Sequence, residues 1–271
     1  MLKTRLITAL ILSAFVGLML LFATPFWWQA LIAITVFGMA YEWAGFAKEK
    51  SRWVKLSWGL GVLTTLLLLK YFQVIEVMFT GLAFSSVGLM IVLVAFYQRR
   101  RGALLVSNKF LLFLLAVIIL NAFYYSASYM QILFPPSILL VSLLVIWSVD
   151  TGAYFAGKKF GKHKLAIFVS PGKTWEGVLG GAILSYPVAL LGLVIVEPDI
   201  SISIYLLAFL LSVIGVLSVF GDLFESVLKR QVNMKDSGYI LPGHGGLIDR
   251  LDSLLLAMPL FLVLWQWVSV K

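Results

Sequence analysis

The chain has 271 residues, of which 62% are hydrophobic and only 12% charged. Several apolar stretches of 18 or more residues exclude a soluble globular protein and predict a membrane protein. Cysteine is absent, which excludes disulfides, thiolate metal sites and a cysteine nucleophile.

The apolar stretches predict an all-α, polytopic integral membrane bundle of about nine transmembrane helices, forming one domain over residues 1–271. The first stretch is about as long as a span, and no small-residue cleavage pattern follows it, so we interpret it as a mature helix and not as a signal peptide. The predicted spans are 6–23, 27–46, 56–72, 75–97, 104–124, 136–156, 176–196, 202–222 and 250–270.

The basic residues, which give a net charge of +9, predict the orientation. Lys and Arg are retained on the cytoplasmic side of short loops. With a cytoplasmic N-terminus, all 21 of them lie on that side except Lys70, Lys109 and Lys271. We therefore expect a bacterial-type inner membrane protein with its polar loops in the cytoplasm, and we expect no nucleic-acid partner.

The N-terminal membrane helices, residues 1–125, carry little chemistry. Glu42 lies inside the second apolar stretch, and a charge within a span is often functional. It is only a turn or two from the predicted cytoplasmic border, so we favour a structural interpretation. Residues 126–271 are predicted to form the catalytic half, with cytoplasmic loops at 157–175 and 223–249.

Asp150 is the strongest intramembrane candidate, since an acid within a span needs a partner. Beyond it, Gly172-Lys173-Thr174 does not complete a P-loop, because position 167 is isoleucine and not the required glycine. The segment precedes a predicted helix start, where free N–H groups and the helix dipole favour an anion. We therefore expect Lys173 to bind phosphate. Predicted substrate-binding residues in this region are Asp150, Ser170, Lys173, Thr174 and Glu176.

The segment 226–252 concentrates charge and glycine between two apolar stretches. Asp249 and Asp252 lie three residues apart and share a helix face. Asp222 and Glu225 are predicted at the end of the preceding helix, where the dipole disfavours acids, which indicates a metal. Mg²⁺ prefers oxygen ligands and is typically held by one or two carboxylates and substrate phosphates. The predicted metal ligands are Asp222, Asp249 and Asp252.

Basic groups in this segment suit a transferring phosphoryl group, whose charge Lys and Arg stabilise. His244 lies between glycines, and phosphate contact or acid catalysis at a leaving group is plausible for it. Predicted catalytic residues are Asp222, Asp249, Lys229 and His244. Further predicted substrate-binding residues are Ser226, Arg230, Lys235, Asp236, Gly245, Gly246 and Arg250.

The arrangement of these residues resembles the signature of the phosphatidate cytidylyltransferase (CDP-diacylglycerol synthase) family. The similarity covers roughly the C-terminal half of the chain and includes the upstream group around Asp150 and Lys173. The matching pattern is Ser226-x-x-Lys229-Arg230, then four residues, Lys235-Asp236-x-Gly238, and Pro242-x-His244-Gly245-Gly246-x-x-Asp249-Arg250-x-Asp252.

The resemblance implies transfer of CMP from CTP to phosphatidic acid, which yields CDP-diacylglycerol and pyrophosphate in phospholipid biosynthesis. It also implies that Asp222 and Asp249 coordinate Mg²⁺, with K⁺ as a second cation, in a polar pocket open to the cytoplasm. A homodimer surrounded by membrane lipids is implied as well.

Two alternatives remain at this point. A CTP-dependent polyprenol or dolichol kinase would transfer the γ-phosphoryl group instead of CMP. An ion-coupled transporter is the less favoured alternative, because the acids cluster toward one surface whereas transport sites lie near the bilayer midplane.

Overall fold

A computed structural model confirms the all-α membrane architecture. Eight helical segments are long and apolar enough to cross a membrane within the described residues, and they correspond to the second through ninth predicted spans. One of them, Ile204–Gln231, consists of two consecutive helices. The first predicted span, 6–23, is described only over its helical part, 14–22. The structure describes residues 14–72, 74–103, 106–241 and 245–269, with the backbone alone for 74–77.

The N-terminal half consists of helices connected by short segments. Pro25 opens its second helix, a position where the missing N–H costs nothing. Asn108 caps the fifth, where its Oδ1 accepts from the backbone N–H groups of Phe110 and Leu111. The elements are α1 (described over 14–22), α2 (Pro25–Trp43), a 3₁₀ helix (Ala44–Ala47), α3 (Arg52–Tyr71), α4 (Val74–Arg99) and α5 (Lys109–Leu133).

The C-terminal half adds a small hairpin to the helices. The last helix packs against elements of both halves, including α4, α5 and the two helices before it, and so joins them in one core. The elements are α6 (Pro136–Phe160), β1 (Lys164–Ala166), β2 (Ser170–Thr174), α7 (Trp175–Val196), α8 (Ile204–Leu217), α9 (Val219–Gln231) and α10 (Ile248–Val268).

Helices α6 and α7 approach each other along a seam of glycines. A Cβ at Gly152 would meet the carbonyl oxygen of Gly180 at 2.5 Å, and a Cβ at Gly177 would lie 3.0 Å from the carbonyl oxygen of Ala153. Small residues at a membrane helix interface allow this approach of the backbones. The seam therefore fixes α6, which carries Asp150, against the start of α7.

The predicted span 202–222 is wrong at its C-terminal end. The structure divides this region into α8 and α9, separated by a turn at Ser218, and helical residues continue to Gln231. The connection predicted over 223–249 is therefore shorter, 232–247. The hydropathy profile predicted the end of this span too early because α9 is amphipathic. Leu223 and Phe224 on one face of α9 are buried, while acidic and basic residues occupy the other face.

Asp222 accordingly lies in the first turn of α9 and not at the end of a helix. A carboxylate in a first turn is stabilised by the helix dipole. The argument from an unfavourable dipole is therefore wrong for Asp222, and its role depends on the side chains around it.

Candidate active site

A β-hairpin occupies the predicted loop between α6 and α7. Strands β1 and β2 pair antiparallel. Glu176 of α7 accepts hydrogen bonds from the backbone N–H groups of Lys162 and His163, at 3.2 and 3.1 Å, and its Oε1 lies 2.6 Å from His163 Nδ1. Thr174 Oγ1 accepts from the Gly177 N–H and caps α7. The predicted substrate-binding residues Thr174 and Glu176 thus hold the hairpin in place.

The tip of the hairpin is fixed from the other half of the chain. The backbone N–H of Phe168 donates to Gln98 Oε1 at the end of α4, at 3.0 Å. The exposed Pro171 and the half-buried Ser170 begin β2, which then carries Lys173 toward the interior of the bundle. Lys173 is therefore presented by a strand that is secured at both ends.

A cavity of about 460 Å³ lies between the hairpin, α6, α7 and α9. Its charged lining includes Asp150, Lys173 and Asp222, and Lys173 Nζ lies 2.6 Å from Asp222 Oδ2. The structure thus brings these three predicted residues to one cavity. The apolar part of the lining includes Ala153, Tyr154, Leu165, Val178 and Val219.

Three carboxylates converge beside this cavity. Asp222 and Glu225 of α9 and Asp252 of α10 each offer one oxygen, and these oxygens lie within 4.8 Å of one another. The two helices come close because position 221 is glycine, where a Cβ would collide with the Asp252 carbonyl group. Glu225 is 2% exposed, and its Oε1 has no hydrogen-bond partner within the described part of the chain. We call Asp222, Glu225 and Asp252 the three-acid group.

Asp249 accepts hydrogen bonds from protein donors at both carboxylate oxygens. Its Oδ1 accepts from Lys229 Nζ at 2.7 Å. Its Oδ2 accepts from the Ser237 N–H and Oγ, at 2.8 and 3.0 Å, and from the Gly246 N–H at 2.9 Å. Both oxygens of Asp249 thus accept from protein donors, and Glu225, which was not among the predicted ligands, joins Asp222 and Asp252 in the three-acid group. The predicted ligand pair of Asp222 and Asp249 stays a prediction.

Lys229 links Asp249 to the three-acid group. Its Nζ lies 2.7 Å from Glu225 Oε2 as well as 2.7 Å from Asp249 Oδ1, and its side chain is 17% exposed. One ammonium group is therefore shared between two carboxylates that have little contact with solvent. The catalytic role expected for Lys229 stays a prediction, but its location beside the acids agrees with such a role.

The remaining predicted residues surround this core. Ser226 Oγ lies 3.5 Å from Asp222 Oδ1, and Gly245 has a φ of +88°, a backbone conformation that favours glycine. His244 lies outside the described residues, as do Pro242 and Gly243. The charged residues exposed at the surface here are Arg230, Lys235, Asp236 and Arg250.

Nearly the whole chain matches a known protein family. The model of the cytidylyltransferase family matches residues 3–268, nearly the whole chain. The chain belongs to the cytidylyltransferase family. The cavity and the three-acid group therefore lie within the part of the chain that the family model matches.

Relatives in this family carry a more specific name. A phosphatidate cytidylyltransferase of Staphylococcus saprophyticus is 45% identical over 126 residues, which cover 46% of this chain and 48% of the relative. A phosphatidate cytidylyltransferase of Haemophilus influenzae is 46% identical over 126 residues, which cover 46% of this chain and 44% of the relative. The chain thus spans about half the length of the curated relatives it matches.

Two acids at this site are missing from the predicted set. Glu225 lies three residues after Asp222 and four before Lys229, so helical spacing alone would have placed it on the same face. For Glu42 of α2, no residue spacing in the sequence indicates a place at this site. Its Oε2 accepts from Ser237 Oγ and from the Ile248 N–H, both at 3.2 Å, across about 200 residues of sequence.

Proposed function

We propose that this member of the cytidylyltransferase family transfers CMP from CTP to phosphatidic acid and releases pyrophosphate. The observation that carries the proposal is the three-acid group beside a cavity that combines the Lys173–Asp222 ion pair with an apolar lining. Such a cavity suits a phosphate joined to a lipid. The name of the relatives, phosphatidate cytidylyltransferase, supports the same activity.

The three-acid group fits a divalent cation. Its carboxylate oxygens are the ligand type that Mg²⁺ prefers, and the buried, unpartnered Oε1 of Glu225 leaves an acceptor available. In our proposal, Asp222, Glu225 and Asp252 hold Mg²⁺. The ion would supply neutralisation of the charge on the nucleotide phosphates. K⁺ as a second cation rests on the family resemblance alone.

The basic residues bind and orient the phosphates. Lys173 already lies in the cavity, and Lys229 lies on the other side of Glu225. We assign both to charge neutralisation, together with Arg230 and Lys235 on the exposed surface. A phosphate oxygen of phosphatidic acid then forms a bond to the α-phosphorus of CTP, while the bond from that phosphorus to the bridging oxygen of the β-phosphate breaks. The attacking oxygen is already ionised, so alignment matters more than a general base.

In our proposal, the apolar side of the cavity binds the lipid. Ala153, Tyr154 and Val178 come from helices that cross the membrane, so a diacyl tail can stay among apolar groups while its phosphate meets Lys173. We place this site at the cytoplasmic face of a bacterial inner membrane. The support is the distribution of Lys and Arg along the chain and the bacterial source of the relatives. A homodimer is proposed on the resemblance only.

Labelled nucleotide tests the reaction directly. Purified protein in detergent is incubated with phosphatidic acid, Mg²⁺ and CTP labelled on either the α- or the γ-phosphate. Label in the lipid from the α position, dependent on phosphatidic acid, is the expected result. Label from the γ position would instead indicate a kinase of the polyprenol type, and no transfer from either position would overturn the proposal.

A further inference from the structure

Glu42 connects the N-terminal half of the chain to the candidate active site. It is carried by α2, and it is 3% exposed. Its Oε2 accepts from Ser237 Oγ, in the connection between α9 and α10, and from the N–H of Ile248, the first residue of α10. A single carboxylate therefore holds both the connection and the start of the helix that bears Asp249 and Asp252.

The sequence leaves space for this carboxylate. A Cβ at Gly238 or at Gly246 would collide with the side chain of Glu42. Gly246 also uses its N–H to bind Asp249 Oδ2. These two glycines are therefore required where the connection closes around Glu42.

A continuous series of polar contacts leads from Glu42 to the three-acid group. Ser237 Oγ lies between the carboxylates of Glu42 and Asp249, at 3.2 and 3.0 Å, and its single proton is donated to one of them at a time. Asp249 binds Lys229, and Lys229 binds Glu225. Hydrogen bonds to charged groups are roughly twice as strong as neutral ones. A change at Glu42 therefore acts on the acids through the position of Ser237 and Asp249.

Apolar packing supports the same geometry. The indole ring of Trp43 lies 5.9 Å from the ring of Phe224 on α9. A Cβ at Gly45 in the 3₁₀ helix would contact Met234 in the connection at 3.6 Å. The end of α2 and the 3₁₀ helix thus form a surface on which the connection rests, and Glu42 is the buried acid within it.

We propose that Glu42 is a positioning residue that keeps the α9–α10 connection, described over 232–241 and 245–247, ordered before the nucleotide binds. The inference rests on the proposed function, because it takes CTP as the ligand that meets Lys235 in the connection. If the connection had to become ordered during binding, the ordering free energy would weaken the affinity for CTP. The KM for CTP is therefore the quantity that reports the loss of Glu42.

Three substitutions separate positioning from general stability. Glu42→Ala removes the acceptor, Glu42→Asp withdraws the carboxylate by one methylene, and Glu42→Gln keeps an acceptor oxygen at the same reach. Glu49→Gln is the matched control, since Glu49 belongs to the same half and pairs with Lys109 at 2.6 Å. Each variant is assayed for kcat and KM with CTP in detergent, and for hydrogen exchange of the amides of Ser237, Gly246 and Ile248.

The Ala and Asp variants should raise the KM for CTP by about tenfold, the scale of one lost charge-assisted hydrogen bond, with a smaller change in kcat. The three amides should exchange faster in both variants. Glu42→Gln should stay close to the wild type. If Glu42→Ala fails to fold, Glu42→Asp supplies the decisive measurement.

Two results would overturn the inference: wild-type KM and exchange in Glu42→Asp, or a loss of kcat alone without faster exchange at the three amides. The second pattern describes fewer folded molecules and not a misplaced connection. A wild-type protein that transfers no label from CTP would instead overturn the proposed function and the nucleotide part of this inference. The exchange measurement would still decide whether Glu42 anchors the connection.

Discussion

Lys173 Nζ and Asp222 Oδ2 form an ion pair of 2.6 Å that joins the β-hairpin to α9 across the cavity. The side chains are 25% and 35% exposed, so water reaches both groups. Asp222 also belongs to the three-acid group. Lys173 is thus a cation held beside the acids, at a place where it can bind a phosphate of the substrate.

Lys173→Met should lower CMP transfer by about 100-fold, the usual effect of removing one group that stabilises charge in the transition state. Its effect on stability should be small, because partly exposed ion pairs contribute little. Transfer of α-label and thermal unfolding in detergent measure the two effects. Lys164→Met, on the exposed start of the same hairpin, is the control. Equal activity in both variants would contradict a role for Lys173.

Asp252→Asn tests the three-acid group. Asp252 Oδ1 accepts from the Ser253 N–H, a contact that asparagine can keep, so the change mainly removes negative charge. The Mg²⁺ concentration for half-maximal activity should rise at least about tenfold, since Mg²⁺ sites depend on one or two carboxylates. A Mg²⁺ titration of α-label transfer measures it. The control is Asp199→Asn, because Asp199 is an exposed acid between α7 and α8, and this variant should leave the titration unchanged. An unchanged titration in Asp252→Asn would exclude this ligand set.

Much of the fold follows from the sequence because a bilayer requires long apolar helices with satisfied backbones. Spans two to nine are recovered on that basis. The break between α8 and α9 could not be predicted from the sequence. Ser218 keeps helical backbone angles, and the polar face of α9 resembles a loop in a hydropathy profile. Amphipathic helices that continue a span are difficult to distinguish from loops by apolar content alone.

Part of the candidate site could also be predicted from the sequence. Asp222, Lys173 and Asp252 are recognisable because charge is costly near a membrane, and the structure brings them to neighbouring positions. Asp249 already accepts hydrogen bonds at both oxygens, whereas Glu225 keeps one oxygen unpartnered among the described residues, and only the folded structure shows this difference. The contact of Glu42 with Ser237 spans 195 residues and follows from no local pattern.

Lys229→Met should destabilise the protein by about 3 kcal/mol, because removing one partner leaves buried charge without compensation. The substitution leaves the carboxylates of Glu225 and Asp249 facing each other without the ammonium group. Thermal unfolding in detergent measures the loss. Combining the change with Asp249→Asn should cost less than the sum of the single changes, because contacting residues are not independent. Arg230→Met, at an exposed neighbouring position, is the control. Additive effects in the double variant would contradict a coupling between Lys229 and Asp249.

Gly152→Ala should disturb both stability and activity, because the new Cβ would meet the Gly180 carbonyl oxygen at 2.5 Å. Overpacking of a tight interface costs about 1–3 kcal/mol, and any separation of α6 from α7 moves Asp150 relative to Lys173. Gly88→Ala is the matched control, since a Cβ there would meet nothing within 4 Å in the described part of the chain and alanine favours the helix. Thermal unfolding and α-label transfer are measured for both variants. The loss of activity in Gly152→Ala should exceed the loss expected from unfolded protein at the assay temperature. Wild-type stability and activity in this variant would show that α6 and α7 can separate without loss of either property.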